Sequence, residues 1–484
     1  MNLMRHLATG LLWCGFALPL RAETFTPEYR VRAGDISAFL GVDARCAEGL
    51  RPFQAGGHGK FYLVGWNRAD QHAGWTLKVD EAGDYEAEVL VRRVSGAAPV
   101  VRLEAAGTNL TGRIRADEAG WHRAVLDGKI ALPAGEVNVT LRFEPSAAGQ
   151  EFGVEVHAIE LARAGVRDEL RRRAVAQRAD TGWFQRARYG IMVHWTSESM
   201  PRNGERKPYA EAVDAFNVEA FAEQMAQTGA GFVVFTTSHA EQMFPAPLAA
   251  LDAVLPGRTT RRDLVADLAA ALERRGLRLM LYHHLGSSRD PEWLSASGFW
   301  ATDTSRFFAH WRAIIGEVGT RYGDRLAGWW FDDGSVTFYA HGAPWEELTR
   351  AARAGNPNRL IGFNPWELNS PTMFQDLYLG EGKHEPAGCG LRLRRGGDGR
   401  YPDGPHEGLQ GSACLVAGGT WVHTRRDAEP AAVDGTPEAL AGRIRGFMEH
   451  RNVPIFNLEI TQDGVISPQA IDTFRAAAAL LPRE

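Results

Sequence analysis

Polar side chains recur at the ends of apolar runs. His194 follows Gly190-Ile191-Met192-Val193, His239 follows Gly231 to Thr236, Tyr282 with His283 and His284 follows Leu277, and Asp332 with Asp333 follows Leu326 to Phe331. These are groups that hydrogen-bond hydroxyls, and the carboxylates and imidazoles can also transfer protons. Taken singly, each has a plainer explanation. A strand-end histidine is commonly a satisfied core or loop residue, and Asp-Asp-Gly commonly makes a turn. Their repeated placement at the same end of successive runs is the signal.

The elements that would position them follow from the hydrophobic period. From Arg163 onward, continuous apolar runs (Gly190–His194, Gly231–Thr236, Leu277–Tyr282, Leu326–Phe331) alternate with amphipathic stretches (Val218–Thr228, Leu264–Arg274, Phe307–Tyr322). That alternation indicates a parallel sheet covered by helices on both faces. About 300 residues of it fit a (β/α)8 barrel, whose chemistry lies at the C-terminal ends of the strands. There is no Gly-x-Gly-x-x-Gly after the first strand, which argues against a nucleotide-binding sheet. Before the barrel, 23–162 reads as short alternating strands such as Trp75-Thr76-Leu77-Lys78-Val79 and Val137 to Phe143, punctuated by turn residues. That pattern predicts an antiparallel β-sandwich. The expected fold class is therefore α/β, a (β/α)8 barrel over 183–484 preceded by a sandwich, with a charged linker helix in 163–182. No further sandwich is expected after the barrel.

Composition narrows the function classes. The chain has 484 residues, 44% hydrophobic and 23% charged, with 54 basic and 59 acidic residues and a net charge of −5. This mild acidity offers no basic excess for nucleic acid. Arg5 and His6, the apolar run Leu7 to Leu20, and Leu20-Arg21-Ala22 read as a secretory signal peptide over 1–22, which predicts a periplasmic or secreted protein. Trp13 before Cys14 argues against a lipoprotein signal. No other segment reads as a membrane span. Removal of the leader leaves Cys46, Cys389 and Cys414, so at most one internal disulfide forms, with Cys389 and Cys414 the candidate pair. The chain has no Cys-x-x-Cys or His-Glu-x-x-His spacing, so a zinc site is not expected; no cofactor is expected either. The oligomeric state stays open.

Several segments in order carry a resemblance. Trp183-Phe184-Gln185-Arg186-Ala187-Arg188-Tyr189-Gly190-Ile191-Met192-Val193-His194-Trp195 resembles the opening strand of the α-L-fucosidases of glycoside hydrolase family 29. Phe216 to Phe221, Gly231 to His239, Arg262 to Val265, Gly276 to Tyr282, Arg321 to Asp332 and Asn457 to Ile466 continue it, so the resemblance spans Trp183 to Leu481. It implies a retaining exo-glycosidase acting on a fucosylated glycan through two carboxyl groups, one nucleophilic and one acid/base. The family's Trp-x-Asp strand end is matched by Trp330-Phe331-Asp332, making Asp332 the implied nucleophile and Asp333 the runner-up. Its Asp-x-x-Thr-Pro-Glu spacing is matched by Asp376 to Glu381, making Glu381 the implied acid/base, with Glu407 and Glu367 as alternatives. The resemblance further implies that His194, His239 and Tyr282 or His283 line the sugar pocket; apart from it, Trp195 and Trp366 are among the neighbouring aromatics that offer either apolar faces to sugar rings or packing in the core.

Two departures bear on the sugar. The family's His-His-Asp-Gly is His239-Ala240-Glu241-Gln242 here, and its Asn-Asp-Arg is Asn364-Pro365-Trp366. Loss of an imidazole and a guanidinium from such a pocket leaves two rival readings: a non-catalytic glycan-binding protein on the same barrel, or a glycosidase for another sugar. The sandwich resembles carbohydrate-binding modules in pattern alone.

Overall fold

The computed structural model describes residues 29–55, 60–115, 120–284, 290–299, 301, 303–332, 342–365, 368, 370–381, 397–401 and 407–482. Two cores organise them.

The first core lies within antiparallel sheets. In the strand Gly83–Gly96, Tyr85, Ala87, Val89 and Val91 are buried in this core. They face Trp75, Leu103, Leu141 and Phe143 of the opposite sheet. One sheet pairs Gly135–Glu144 with His72–Val79 and Val100–Ala105, while the other pairs Phe152–Arg163 with Gly83–Gly96 and Lys60–Trp66. The strand His122–Asp127 belongs to both, since His122 to Val125 pair with Gly83–Gly96 and Leu126 to Asp127 pair with Thr108–Arg113. Two layers joined by a strand that changes sheets make a β-sandwich.

The second core is a closed parallel barrel of eight strands. They are β1 (Gly190–Val193), β2 (Phe232–Ser238), β3 (Arg278–His284), β4 (Leu326–Asp332), β5 (Leu360–Phe363), β6 (Leu377–Tyr378), β7 (Gln410–Val416) and β8 (Val453–Leu458). Both faces of every strand are buried, which is why the runs are continuously apolar. Alternate residues divide between two clusters. Met192, Phe232, Val234, Met280, Tyr282, Trp330, Leu377, Cys414 and Ile455 fill the barrel interior. Ile191, Val193, Val233, Phe235, Leu279, Leu281, Trp329 and Phe331 pack outward against the helices. Several of those helices start on side-chain caps, with Asn217, Asp263 and Ser467 accepting from backbone amides three residues on.

The Phe152–Arg163 strand leads into a helix at Val166–Ala176. Across the junction, Glu160 accepts from Arg123 and Arg167, and Arg123 also donates to the Ser370 carbonyl of the barrel at 3.0 Å. Cys414 lies inside the barrel with its sulfur 3.7 Å from that of Met192, and its candidate disulfide partner Cys389 lies outside the described residues. Residues 1–22, where the sequence predicts a leader, lie outside them too, and among the described residues no helix is long and apolar enough to cross a membrane.

Candidate active site

At the C-terminal end of the barrel, Met192, His194, His239, Tyr282, His284, Trp330, Asp332, Glu381 and Trp421 line a pocket of about 140 Å³. This is smaller than the roughly 300–1,000 Å³ of sites for drug-sized ligands, and suits one small polar ring.

Strand geometry explains who is present. On β4, Trp330 and Asp332 share the inward face, and on β3 Tyr282 and His284 do, with Tyr282 opposite Trp330 and His284 opposite Asp332. His283 points the other way. Its Nδ1 lies 3.0 Å from Thr237 Oγ1 and its Nε2 3.0 Å from Gln242 Nε2, between the barrel and the helices. The expectation that His283 lines the pocket is therefore corrected, and His284 stands there instead. Trp195 is corrected for the same reason. As the neighbour of inward His194 it faces outward, packed against Tyr209, Phe216 and Phe235. His239 reaches the pocket through an irregularity. Between Thr236 and Ser238 the pairing slips, so that Ser238 meets His283 and the next residue falls on the inward face.

The carboxyl groups meet through one amide. Asn364 Nδ2 donates to Asp332 Oδ1 at 3.0 Å and to Glu381 Oε1 at 2.7 Å, which keeps these two oxygens within about 6 Å of each other. Tyr282 donates its hydroxyl to the other Asp332 oxygen at 2.5 Å. Asp332 is 8% exposed, its small opening facing the pocket. At the opposite end of β6 from Glu381, Asp376 is wholly structural, taking both of its oxygens to Arg353 and accepting from the Ala179 and Ile361 amides.

The wall opposite these carboxyls is imidazole and indole. The His194 ring sits 5.3 Å from that of His239, 4.8 Å from Tyr282 and 5.3 Å from Trp421. Burial pushes His194 down to about 4, outweighing the hydrogen bond to Asn457 and the charge of Asp332, so its ring is neutral in ordinary buffers. Trp421 escaped the sequence reading because it stands in an irregular segment after β7. That segment is tied down by Glu459, whose buried carboxylate accepts from Thr420, His423, Arg425 and Ala431. Burial would raise Glu459, but these donors hold it at about 2.

The remaining expectations fall elsewhere. Glu407 pairs with Arg171 of the linker helix on an exposed surface, away from the pocket. Asp333, Trp366 and Glu367 lie outside the described residues. No group of three or more His, Cys, Asp or Glu among the described residues is arranged to hold a metal ion.

Comparison with known proteins bears on this geometry. The alpha-L-fucosidase family model matches residues 207–378. The tissue alpha-L-fucosidase of mouse (Mus musculus) is 31% identical over 135 residues, covering 21% of this chain and 30% of the relative. The human (Homo sapiens) tissue enzyme is 30% identical over 135 residues, 21% of this chain and 29% of its own. Over residues 207–378 the barrel is similar to the alpha-L-fucosidase family. The chain spans less than a third of the length of these curated relatives. A solved structure of the Lactobacillus casei alpha-L-fucosidase in complex with its alpha-L-fucose product is 18% identical, covers 62% of this chain and 97% of its own, and has a TM-score of 0.44.

The alpha-L-fucosidase match is shorter than the resemblance from Trp183 to Leu481. It includes His239, Tyr282, His284, Trp330, Asp332 and Asn364, while His194, Glu381 and Trp421 lie outside it. At the first departure from the alpha-L-fucosidase pattern, Ala240 is buried and Glu241 accepts from Ser197. At the second, Asn364 is the carboxyl bridge itself.

Proposed function

We propose that this chain is a retaining exo-glycosidase acting on α-L-fucosides or a closely related deoxyhexoside. The single observation that carries the reading is Asn364 holding one oxygen of Asp332 and one of Glu381 on the same nitrogen. Carboxyls about 5–5.5 Å apart suit double displacement, whereas inversion needs about 6.5–9.5 Å to admit a water. Asp332 attacks the anomeric carbon and Glu381, across the scissile bond, protonates the departing oxygen. Glu381 then takes a proton from the water that cleaves the glycosyl ester. Tyr282 and Asn364 hold one Asp332 oxygen each, which sets the direction of attack.

Around the ring, His194, His239 and His284 meet hydroxyls, and His284 supplies an imidazole in a pocket where Ala240 replaces one. Met192, Trp330 and Trp421 give apolar surface suited to the methyl and CH faces of a deoxy sugar. Export through the leader 1–22 belongs to the same reading, since glycans are encountered outside the cytoplasm. Amino-terminal sequencing of the mature protein tests that part.

The main test is a panel of nitrophenyl glycosides with the first-formed anomer followed by NMR. The α-L-fucoside is expected to turn over with the α-anomer of fucose released first. Release of the opposite anomer would exclude double displacement. Sugar binding without turnover of any glycoside would favour the glycan-binding reading, which the missing imidazole and guanidinium motivate.

A further inference from the structure

We propose that Asn457 is a positioning residue that holds His194 as its Nδ1–H tautomer and so presents Nε2 to the pocket as a hydrogen-bond acceptor for a sugar hydroxyl. The sugar in this statement rests on the function proposed above, but the tautomer does not.

The argument runs inward from the backbone. Asn457 Nδ2 lies 3.2 Å from the carbonyl oxygen of Thr420 and 3.1 Å from that of Trp421. Carbonyl oxygens only accept, so the group facing them is the NH2 and the opposite atom is Oδ1. That oxygen lies 2.7 Å from His194 Nδ1. An amide oxygen also only accepts, so Nδ1 carries the proton. In a neutral imidazole the other nitrogen is then the acceptor. His194 lines the pocket, and the groups around it are His239, Tyr282 and Trp421 at ring contact, with Asp332 and His284 within range of its charge. Burial holds the ring neutral down to about 4, so the acceptor is present across the ordinary pH range.

The two carbonyls are themselves held. Glu459, two residues beyond Asn457, accepts from Thr420 through both its amide and its hydroxyl at 2.9 Å, fixing the peptide whose oxygens face Asn457. The same segment sets Trp421 against the His194 ring, so one carboxylate orders an indole wall and the direction of an imidazole lone pair. An acceptor here complements the site, because the Tyr282 hydroxyl is committed as a donor to Asp332.

Neutron diffraction from crystals of the wild-type protein near pH 7 reads the tautomer directly. A deuteron on His194 Nδ1 and none on Nε2 is expected, and a deuteron on Nε2 would overturn the proposal. The second measurement is calorimetric binding of L-fucose to wild type and to Asn457→Asp from about pH 5 to about pH 8. A carboxylate at 457 favours the imidazolium and turns Nε2 into a donor. The variant should bind about tenfold more weakly at the acid end and recover as pH rises, while wild type stays flat. Equal affinity and equal pH profiles would refute the positioning role. If the variant fails to fold, the wild-type neutron map still decides. A deuteron on Nδ1 in a protein that does not bind L-fucose would uphold the tautomer and dismiss the fucoside reading.

Discussion

The site turns on an amide side chain that touches two carboxyl groups, and the roles of those groups are separable by substitution. Asp332→Gly should lower turnover by several orders of magnitude, with azide restoring part of it as a β-glycosyl azide, because a small anion can occupy the vacated space and attack in its place. Unchanged turnover would remove Asp332 from the mechanism. Glu381→Ala should behave differently. Activated aryl glycosides leave with little protonation, so their turnover should survive far better than that of natural glycosides. Equal loss on good and poor leaving groups would argue that Glu381 only supports Asn364.

At the level of the strand, neighbouring histidines on β3 have opposite fates. His284 faces the pocket, while His283 is buried among Thr237, Ser238 and Gln242. His284→Ala should raise KM for the glycoside by roughly 5- to 100-fold with little change in melting temperature, the range of a lost pocket hydrogen bond. His283→Ala should do the reverse, leaving KM nearly unchanged and destabilising the fold by about 1–3 kcal/mol through its orphaned partners. Steady-state kinetics and thermal denaturation of the two variants side by side separate the faces. If His283→Ala alone raised KM, the alternation assigned to β3 would be wrong.

Across the whole molecule, the sandwich meets the barrel through a buried charge cluster. Glu160 is 3% exposed at its side chain and shares Arg123 and Arg167 with Glu88. Burial alone would raise Glu160, but the two guanidiniums outweigh it and hold the carboxyl at about 2, below its ordinary 4.5. A carboxyl depressed in the folded state contributes stability above its unfolded value and loses it as pH falls toward the folded value. Unfolding followed between about pH 5 and pH 2 should therefore show a loss on the order of 2–3 kcal/mol from this group, and Glu160→Gln should flatten that part of the curve. At neutral pH the same variant should be less stable by about 3–5 kcal/mol, since two guanidiniums lose a buried counter-charge. A pH dependence identical to wild type would mean the cluster titrates elsewhere.

What the chain determines by itself is the layout. Unbroken apolar runs between amphipathic stretches specify a parallel barrel, alternating runs specify a sandwich, and barrel chemistry collects at the strand ends, so His194 and Asp332 were legible as strand-end polar groups, whereas Glu381 was reached only through the family resemblance. Period two also implies that Trp195 cannot share a face with His194, nor His283 with Tyr282. Runs apolar on both faces hide which parity is inward, however, and only closure of the barrel decides it. The slip that turns His239 inward depends on how β2 registers against β3, a contact between strands far apart in sequence. Asn364 looked like the remnant of a lost arginine motif, because nothing local indicates that one amide will lie between two carboxyls brought together from β4 and beyond β6. Trp421 had no strand or helix to announce it. Its place is set by a carboxylate 39 residues from Thr420, whose buried charge must gather donors from wherever the folded chain can supply them.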